Sequence, residues 1–356
     1  MELKSEFIFI VCQAGAEPAL KKEIAKSYPH LRFAFSRPGY VTFKNVDGSV
    51  PFDFILHSVF ARAYGVSFGP LAEAELPRVL DMAETLRAQD PTRKIHLQAW
   101  ERDLHIPGEE PLGFVPGALL GSVEAQLRKQ AKSEALFEPA GHPQDGDAVI
   151  QLIALDPGKF GYGLFTYSTA HSPYPGGRPP LKLPNEAPSR AFLKLENSIL
   201  WSGAPLRKGD LAVEIGSSPG GASYAMLQRG LNVIGIDPGA MDRVVLKHPN
   251  FKHIQRSVAH TPREDLPESI QWLILDMNVE PNVSLYAVDR LVSRMKDSLL
   301  GVLLTVKLNQ WKFADEIPYF MSYVKAMGMI KVKATQLAYN RQEIMIYGLT
   351  RKGMTR

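Results

Sequence analysis

The sequence predicts an α/β protein in two parts. The second half is an open, doubly wound parallel sheet that closes with an antiparallel hairpin, and an α+β region precedes it. Three observations predict this. After residue 188, apolar runs of strand length alternate with segments of helical period, the pattern of a parallel sheet covered on both faces. Before residue 171, strands and helices are mixed, and neighbouring strands are joined by short turns. Between them, His171–Pro188 holds six prolines and two glycines in 18 residues, which neither a helix nor a central strand accepts.

In chain order, FIFIVCQ reads as an apolar strand and EPALKKEIAKSY as a helix with Ala19, Ile24 and Ala25 inward. LRFAFSRPGYVTFK reads as two short strands about the turn Arg37–Pro38–Gly39. Strand–helix–strand–strand is half of a ferredoxin-like unit. PRVLDMAETLRAQ (helix), KIHLQAWERD (strand), GSVEAQLRKQAK (helix) and DAVIQLIALDPGKFGYGLFT (two strands) follow, with HIPGEEPLGFVPG as a loop. The expected organisation is residues 1–58 as one domain, 59–170 as a second, 171–188 as a linker and 189–356 as the parallel-sheet domain.

In that last domain RAFLKLENSILWSG is a helix, LAVEIG the first strand, and GGASYAMLQRG a helix with Gly230 as its C-cap. NVIGID, FKHIQRS, WLILDM and GVLLTVKL are the next four strands. A helix with Val288, Leu291, Val292 and Met295 inward precedes the last of these, and FADEIPYFMSYVKAMG is a helix after it. IKVKATQLAY and QEIMIYGLTR form the terminal hairpin about Asn340–Arg341.

The 356 residues are 45% hydrophobic and 22% charged, ordinary for a soluble globular protein. One cysteine, Cys12, excludes an intramolecular disulfide framework and a cysteine metal cluster, and its apolar setting reads as structural. The histidines show no ligand spacing, so no metal is expected. No membrane-length apolar run and no signal peptide is read, which makes the cytoplasm the expected location. The net charge of +4 is uneven: residues 1–170 hold 17 Lys and Arg against 21 Asp and Glu, and the remainder 24 against 16. A basic second half suits a polyanionic substrate.

The densest chemical signal is Glu214–Gly221, EIGSSPGG, at the end of the first parallel strand. Ligands of such sheets sit beyond the carboxyl ends of the strands. Gly216, Gly220 and Gly221 permit close approach, Ser217 and Ser218 offer hydroxyls and N–H groups, and Pro219 sits near the helix start. Asp237, ending the second strand, can accept ribose hydroxyls. The spacing is not G-x-G-x-x-G, and Glu214 would repel a pyrophosphate. The loop therefore favours S-adenosylmethionine, with Glu214 serving the methionine ammonium directly or through water. A dinucleotide and a ligand-free tight turn are the alternatives.

Four polar residues stand where a sheet would carry chemistry: Lys194 in the helix SRAFLKLENSIL, Asp276 ending WLILDM, Lys307 ending GVLLTVKL, and Glu343 opening the last strand. With SRAFLKLE, LDM, TVKL, RQE and SPGG, the chain resembles the FtsJ-type family of RNA ribose 2′-O-methyltransferases, which carries a Lys–Asp–Lys–Glu tetrad. RQE departs from the family's SRE by a glutamine. The opening FIFIVCQAGAEPALKKE resembles proteins in which a ferredoxin-like domain precedes an RNA-binding THUMP domain, and the full chain is most similar to the RlmM family.

The resemblance implies a Rossmann-like class I methyltransferase domain over 189–356, a ferredoxin-like domain over 1–58 and a THUMP-like domain over 59–170. It implies S-adenosylmethionine-dependent 2′-O-methylation of 23S rRNA at a cytidine, before full ribosome assembly. Lys194, Asp276, Lys307 and Glu343 would be catalytic, with Lys307 as base and Lys194 lowering its pKa. Cofactor contacts would come from Ser189, Glu214, Gly216, Ser217, Ser218, Pro219, Gly220, Gly221, Asp237 and Asp276, and RNA contacts from Arg178, Lys182 and Arg190. A catalytically silent RNA-binding protein is the alternative from another class. No carboxylate follows the third strand to meet an adenine, so the backbone of Ser257 or Val258 is the expected substitute. The net-acidic first half would need a local basic patch, for which Arg93, Lys94, Arg128, Lys129 and Lys132 are the candidates.

Overall fold

The computed structural model describes residues 3–105, 118–133, 135–295 and 297–356; most of the expected loop HIPGEEPLGFVPG lies outside them. The chain divides into two compact units, Met1–Pro179 and Pro180–Arg356.

The first unit contains β1 (Phe7–Val11), α1 (Glu17–Ser27), β2 (Leu31–Arg37), β3 (Tyr40–Asn45), β4 (Ala63–Ala72), α2 (Pro77–Gln89), β5 (Ile95–Glu101), α3 (Ala118–Gln130), β6 (Ala148–Asp156) and β7 (Lys159–Thr166). Its strands make one sheet in the order β2-β3-β1-β4-β7-β6-β5. The sequence gives no sign of β4, because Gly65, Gly69 and Pro70 interrupt its apolar pattern. Yet β4 joins β1 to β7, so the boundary expected at residue 58 separates strands of a single sheet. Its glycine has a packing reason: a Cβ on Gly65 would stand 2.8 Å from the ring of Phe9, and one on Gly163 of β7 2.6 Å from it.

Side chains alternate across this sheet. Leu97, Ile150, Leu152, Tyr162 and Leu164 face α2 and α3, packing with Val79, Met82, Leu86 and Leu127. Phe9, Tyr40, Trp100, Ile153 and Leu155 form a smaller cluster on the other face. The first part of the proline-rich segment lies over that cluster. Gln98 Nε2 donates to the Pro173 carbonyl at 3.1 Å and Arg62 Nε to that of Gly176 at 2.7 Å. Gly176 approaches Trp100 so closely that a Cβ would sit 2.8 Å from the indole. Residues 171–179 thus belong to the first unit, and the segment read as a linker changes allegiance at Pro180.

The second unit contains α4 (Ala191–Ser202), β8 (Leu211–Ile215), α5 (Gly221–Gln228), β9 (Asn232–Ile236), α6 (Arg243–Leu246), β10 (Phe251–Ile254), β11 (Trp272–Leu275), α7 (Pro281–Met295), β12 (Gly301–Lys307), α8 (Ile317–Ala326), β13 (Lys331–Thr335), β14 (Glu343–Leu349) and α9 (Arg351–Met354). The sheet order is β10-β9-β8-β11-β12-β14-β13. The first five strands are parallel, and β14 enters antiparallel between β12 and β13. This is a Rossmann-like sheet that reverses direction beside β8, the switch point at which ligands bind. Gly203 closes α4 in the left-handed conformation, and Asp242 caps α6 through the Val244 N–H.

Candidate functional site

The loop after β8 is shaped by its glycines at two points. Gly216 has φ +82°, and a Cβ there would lie 2.6 Å from the Asp276 carbonyl. This close approach sets the loop against the end of β11. A Cβ on Gly221 would lie 2.3 Å from Ser189 Oγ, so the start of α5 sits directly on the residues that lead into α4.

The loop's polar residues divide into those at the surface and those beneath. Asp237 accepts from the backbone N–H groups of Ser218 at 3.2 Å and Gly239 at 2.6 Å, and each oxygen keeps a lone pair for a ribose hydroxyl. Ser218 Oγ donates to the Ala240 carbonyl, and Ser217 Oγ is buried against Met241 Sδ. Glu214 is 1% exposed and takes a hydrogen bond from Ser223 Oγ at 2.5 Å. Burial pushes its carboxyl up to about 8, so at neutral pH it is a protonated group inside the unit. That placement separates it from the ammonium-facing role expected of it; Ser223, its partner, was not signalled by the sequence.

Lys194, Asp276, Lys307 and Glu343 come together although four different elements supply them. Asp276 follows β11 and Lys307 ends β12, so both stand at the carboxyl edge of the parallel sheet. Lys307 and Glu343 are directly opposite in the β12–β14 register. Lys194 reaches Asp276 at 2.5 Å and Glu343 at 3.2 Å; Lys307 reaches Asp276 at 2.9 Å and pairs with the other Glu343 oxygen. Each lysine therefore bridges both carboxylates, and the four charges cancel. Asn340, fully buried, donates to Glu343 at 3.3 Å, as does the Arg341 N–H. Asn340 stands three residues before Glu343 in a segment that reads as a plain turn.

The electrostatics correct one expectation. Burial alone would depress the Lys307 ammonium, but Asp276 and Glu343 hold it above the ordinary lysine value. The second lysine does not prevail, because Asp276 and Glu343 both pair with the Lys307 ammonium. Burial would likewise raise Glu343, but Lys194 and Lys307 hold it below the usual carboxylate range.

The expected RNA contacts are divided between the two units. Arg178 belongs to the first unit, where its guanidinium lies 3.9 Å from Asp103. Lys182 is exposed, and Arg190 precedes α4. Within the expected basic patch, Arg128 pairs with Glu124 and the exposed Lys132 with Glu84. Ser257 and Val258 lie beyond β10, where Ser257 Oγ pairs with His260. Among the described residues no three metal-binding side chains cluster, and no helix is long and apolar enough to cross a membrane.

The glycine loop at the switch point, Asp237 and three of the four quartet residues lie in a stretch that is similar to FtsJ-like methyltransferases. The family model of that description matches residues 187–339. Its cofactor is S-adenosylmethionine. The chain belongs to the family named ribosomal RNA large subunit methyltransferase M. The Shewanella woodyi member is 30% identical over 371 residues, covering 96% of this chain and 97% of the relative. The Shewanella sediminis member is 31% identical over 51% of this chain and 53% of its own length. The Sodalis glossinidius member is 28% identical over 62% of each. These two shorter alignments thus span about half to under two thirds of the relatives.

Proposed function

We propose that this chain methylates the 2′-oxygen of a ribose, at a cytidine of 23S rRNA, before ribosome assembly is complete and in the cytoplasm. The observation that carries the reading is the Lys194–Asp276–Lys307–Glu343 quartet beside the Gly216 turn. When bound, S-adenosylmethionine supplies an electrophilic methyl group on a sulfonium. The residues of this chain supply the rest. Gly216, Gly220 and Gly221 shape the backbone that holds the donor, and Asp237 takes its ribose.

A ribose hydroxyl is a weak nucleophile, and its proton must leave as attack occurs. Lys307 is the acceptor in this proposal. Because Asp276 and Glu343 favour its charged form, only the fraction that has lost its proton is active. Lys194 shares both carboxylates with Lys307, and so keeps either from being left as an uncompensated charge when the proton moves. The first unit, with its THUMP-like segment, holds the RNA. Lys182 and Arg190 are assigned to phosphates near the site, and Arg178 is assigned to the fold through Asp103.

The test is transfer of labelled methyl from S-adenosylmethionine to protein-free 23S rRNA by wild type and by Lys307→Ala. The expected loss is about 10²–10⁴-fold. Full label with Lys307→Ala would remove the base assignment. Cofactor binding with no label on any RNA would favour a silent RNA-binding protein, and ribose-specific nuclease resistance maps the nucleotide.

A further inference from the structure

The first half of the chain is net acidic, and in the basic patch expected there Arg128 and Lys132 each pair with a carboxylate. A different surface has the chemistry that patch lacks. The register of β2, β3 and β1 places Arg32, Lys44 and Phe7 side by side across one face of the sheet, and Phe35 next to Thr42 on the same face. Arg37 follows Phe35 at the next position on that face. This is the face that residues 171–179 cover farther along, where Gly176 lies against Trp100. At the β2–β3–β1 end it is open: Phe7 is 38% exposed and Phe35 39%.

Each ring carries a cation. Lys44 Nζ lies 5.9 Å from the centre of Phe7, and the Arg37 guanidinium 4.8 Å from that of Phe35. The cations are tethered only lightly, Lys44 to Glu6 at 3.2 Å and Arg37 to Asp156 at 3.4 Å, both pairs largely in solvent. Exposed aromatic rings on an open sheet, interleaved with flexible cations, fit unpaired bases and their phosphates. A protein partner would find little here to bury besides two rings separated by charge. Strands two apart lie roughly 10 Å from each other, too far for one base to span, so each ring takes its own nucleotide.

Resting on the ribosomal RNA reading above, we infer that this open sheet face docks a single-stranded segment of the RNA substrate, with Phe7 and Phe35 stacking on bases and Arg32, Arg37 and Lys44 meeting phosphates. Lys44 and Arg37 swing from ring to phosphate as a base arrives.

The experiment uses the full chain, a short fluorescein-labelled oligouridylate, and methyl transfer to protein-free 23S rRNA. The variant Phe7→Ala with Phe35→Ala should bind the oligouridylate roughly ten- to a hundred-fold more weakly. It should raise KM for the rRNA by a similar factor. Arg37→Gln should reduce the salt dependence of binding by about one phosphate contact. Phe33→Ala is the control. Phe33 is 54% exposed on the same strand, but it pairs with Phe43 on the opposite face beneath Lys21. It should leave binding and KM unchanged. Unchanged binding in the double variant, or equal weakening by Phe33→Ala, would overturn the inference while an active wild type left the methyltransferase reading standing. A wild type that transfers no methyl to RNA would instead defeat that reading.

Discussion

Each unit has a buried ionic cluster, and the two are built differently. In the first unit, Arg62 donates to Asp103 at 2.6 Å, with the two side chains 6% and 3% exposed, and Arg178 lies on the far carboxylate oxygen. In the second, two lysines share two carboxylates, with side-chain exposures from 4% to 16%. An arginine stays charged at any working pH and offers a rigid fork of donors. Arg62 uses that fork on Asp103 and on the Gly176 carbonyl together, so it ties chain to sheet. A lysine can give up its proton and has no fixed plane. The arginine cluster is therefore fitted to hold a fold, and the lysine cluster, in the proposed reaction, to move a proton.

The sharpest way to break this contrast is Lys307→Arg. It keeps both ion pairs but removes a side chain able to lose its proton. Activity per folded molecule should fall about 10²–10⁴-fold, while any loss in urea unfolding stays below the roughly 3 kcal/mol of a buried charge left without its partner. The same argument fixes the pH profile of the wild type. Since the charged form of Lys307 is favoured, kcat/KM should climb from neutral into alkaline solution without a plateau below the ordinary lysine value near 10.4. A plateau near pH 7 would assign the proton to another group.

Arg62→Ala should do the reverse of Lys307→Arg. It leaves Asp103 buried, where burial opposes ionisation and only Arg62 and Arg178 keep the carboxyl below its usual range. The expected loss is about 3 kcal/mol of unfolding free energy. Turnover per folded molecule should hold, and a large loss of turnover would erase the distinction between the clusters.

A smaller effect concerns Glu214, a carboxyl with no cation bound to it. Its folded-state value is raised to about 8, so the folded state keeps a proton that the unfolded chain releases. Stability should fall as pH rises from the ordinary carboxylate range to about 8, and level off above it. Glu214→Gln should remove that decline and leave the variant the more stable of the two at pH 9. Thermal melts of both proteins across that range decide it.

The sequence showed the second unit more completely than the first, for a physical reason. Parallel strands buried on both faces are unbroken apolar runs, so a charge that ends one, such as Asp276 or Lys307, stands out. β4 is equally central, but it accommodates Phe9 by glycine, and glycine reads as a breaker. Prolines told that residues 171–179 are neither helix nor strand; they could not tell that Gln98 and Arg62 would fasten them. Asp276, Lys307 and Glu343 were marked by strand ends, whereas Lys194, inside a helix, joined them through the resemblance. The protonation of Lys307 was not legible, since it depends on the two carboxylates that two other strands deliver. Nor was the open face of Phe7 and Phe35, which the register and the bulge after Phe33 create.

The direct pairing of Lys307 with Glu343 also sets a clock on the nascent chain. Lys194, Asp276 and Lys307 are all made before the strand that carries Glu343, and that strand must seat itself between β12 and β13. Until it does, two lysines face one carboxylate, and a register slip of one residue would turn Glu343 to the opposite side of the sheet. The quartet is thus complete only when the strand that carries Glu343 has taken its register against β12.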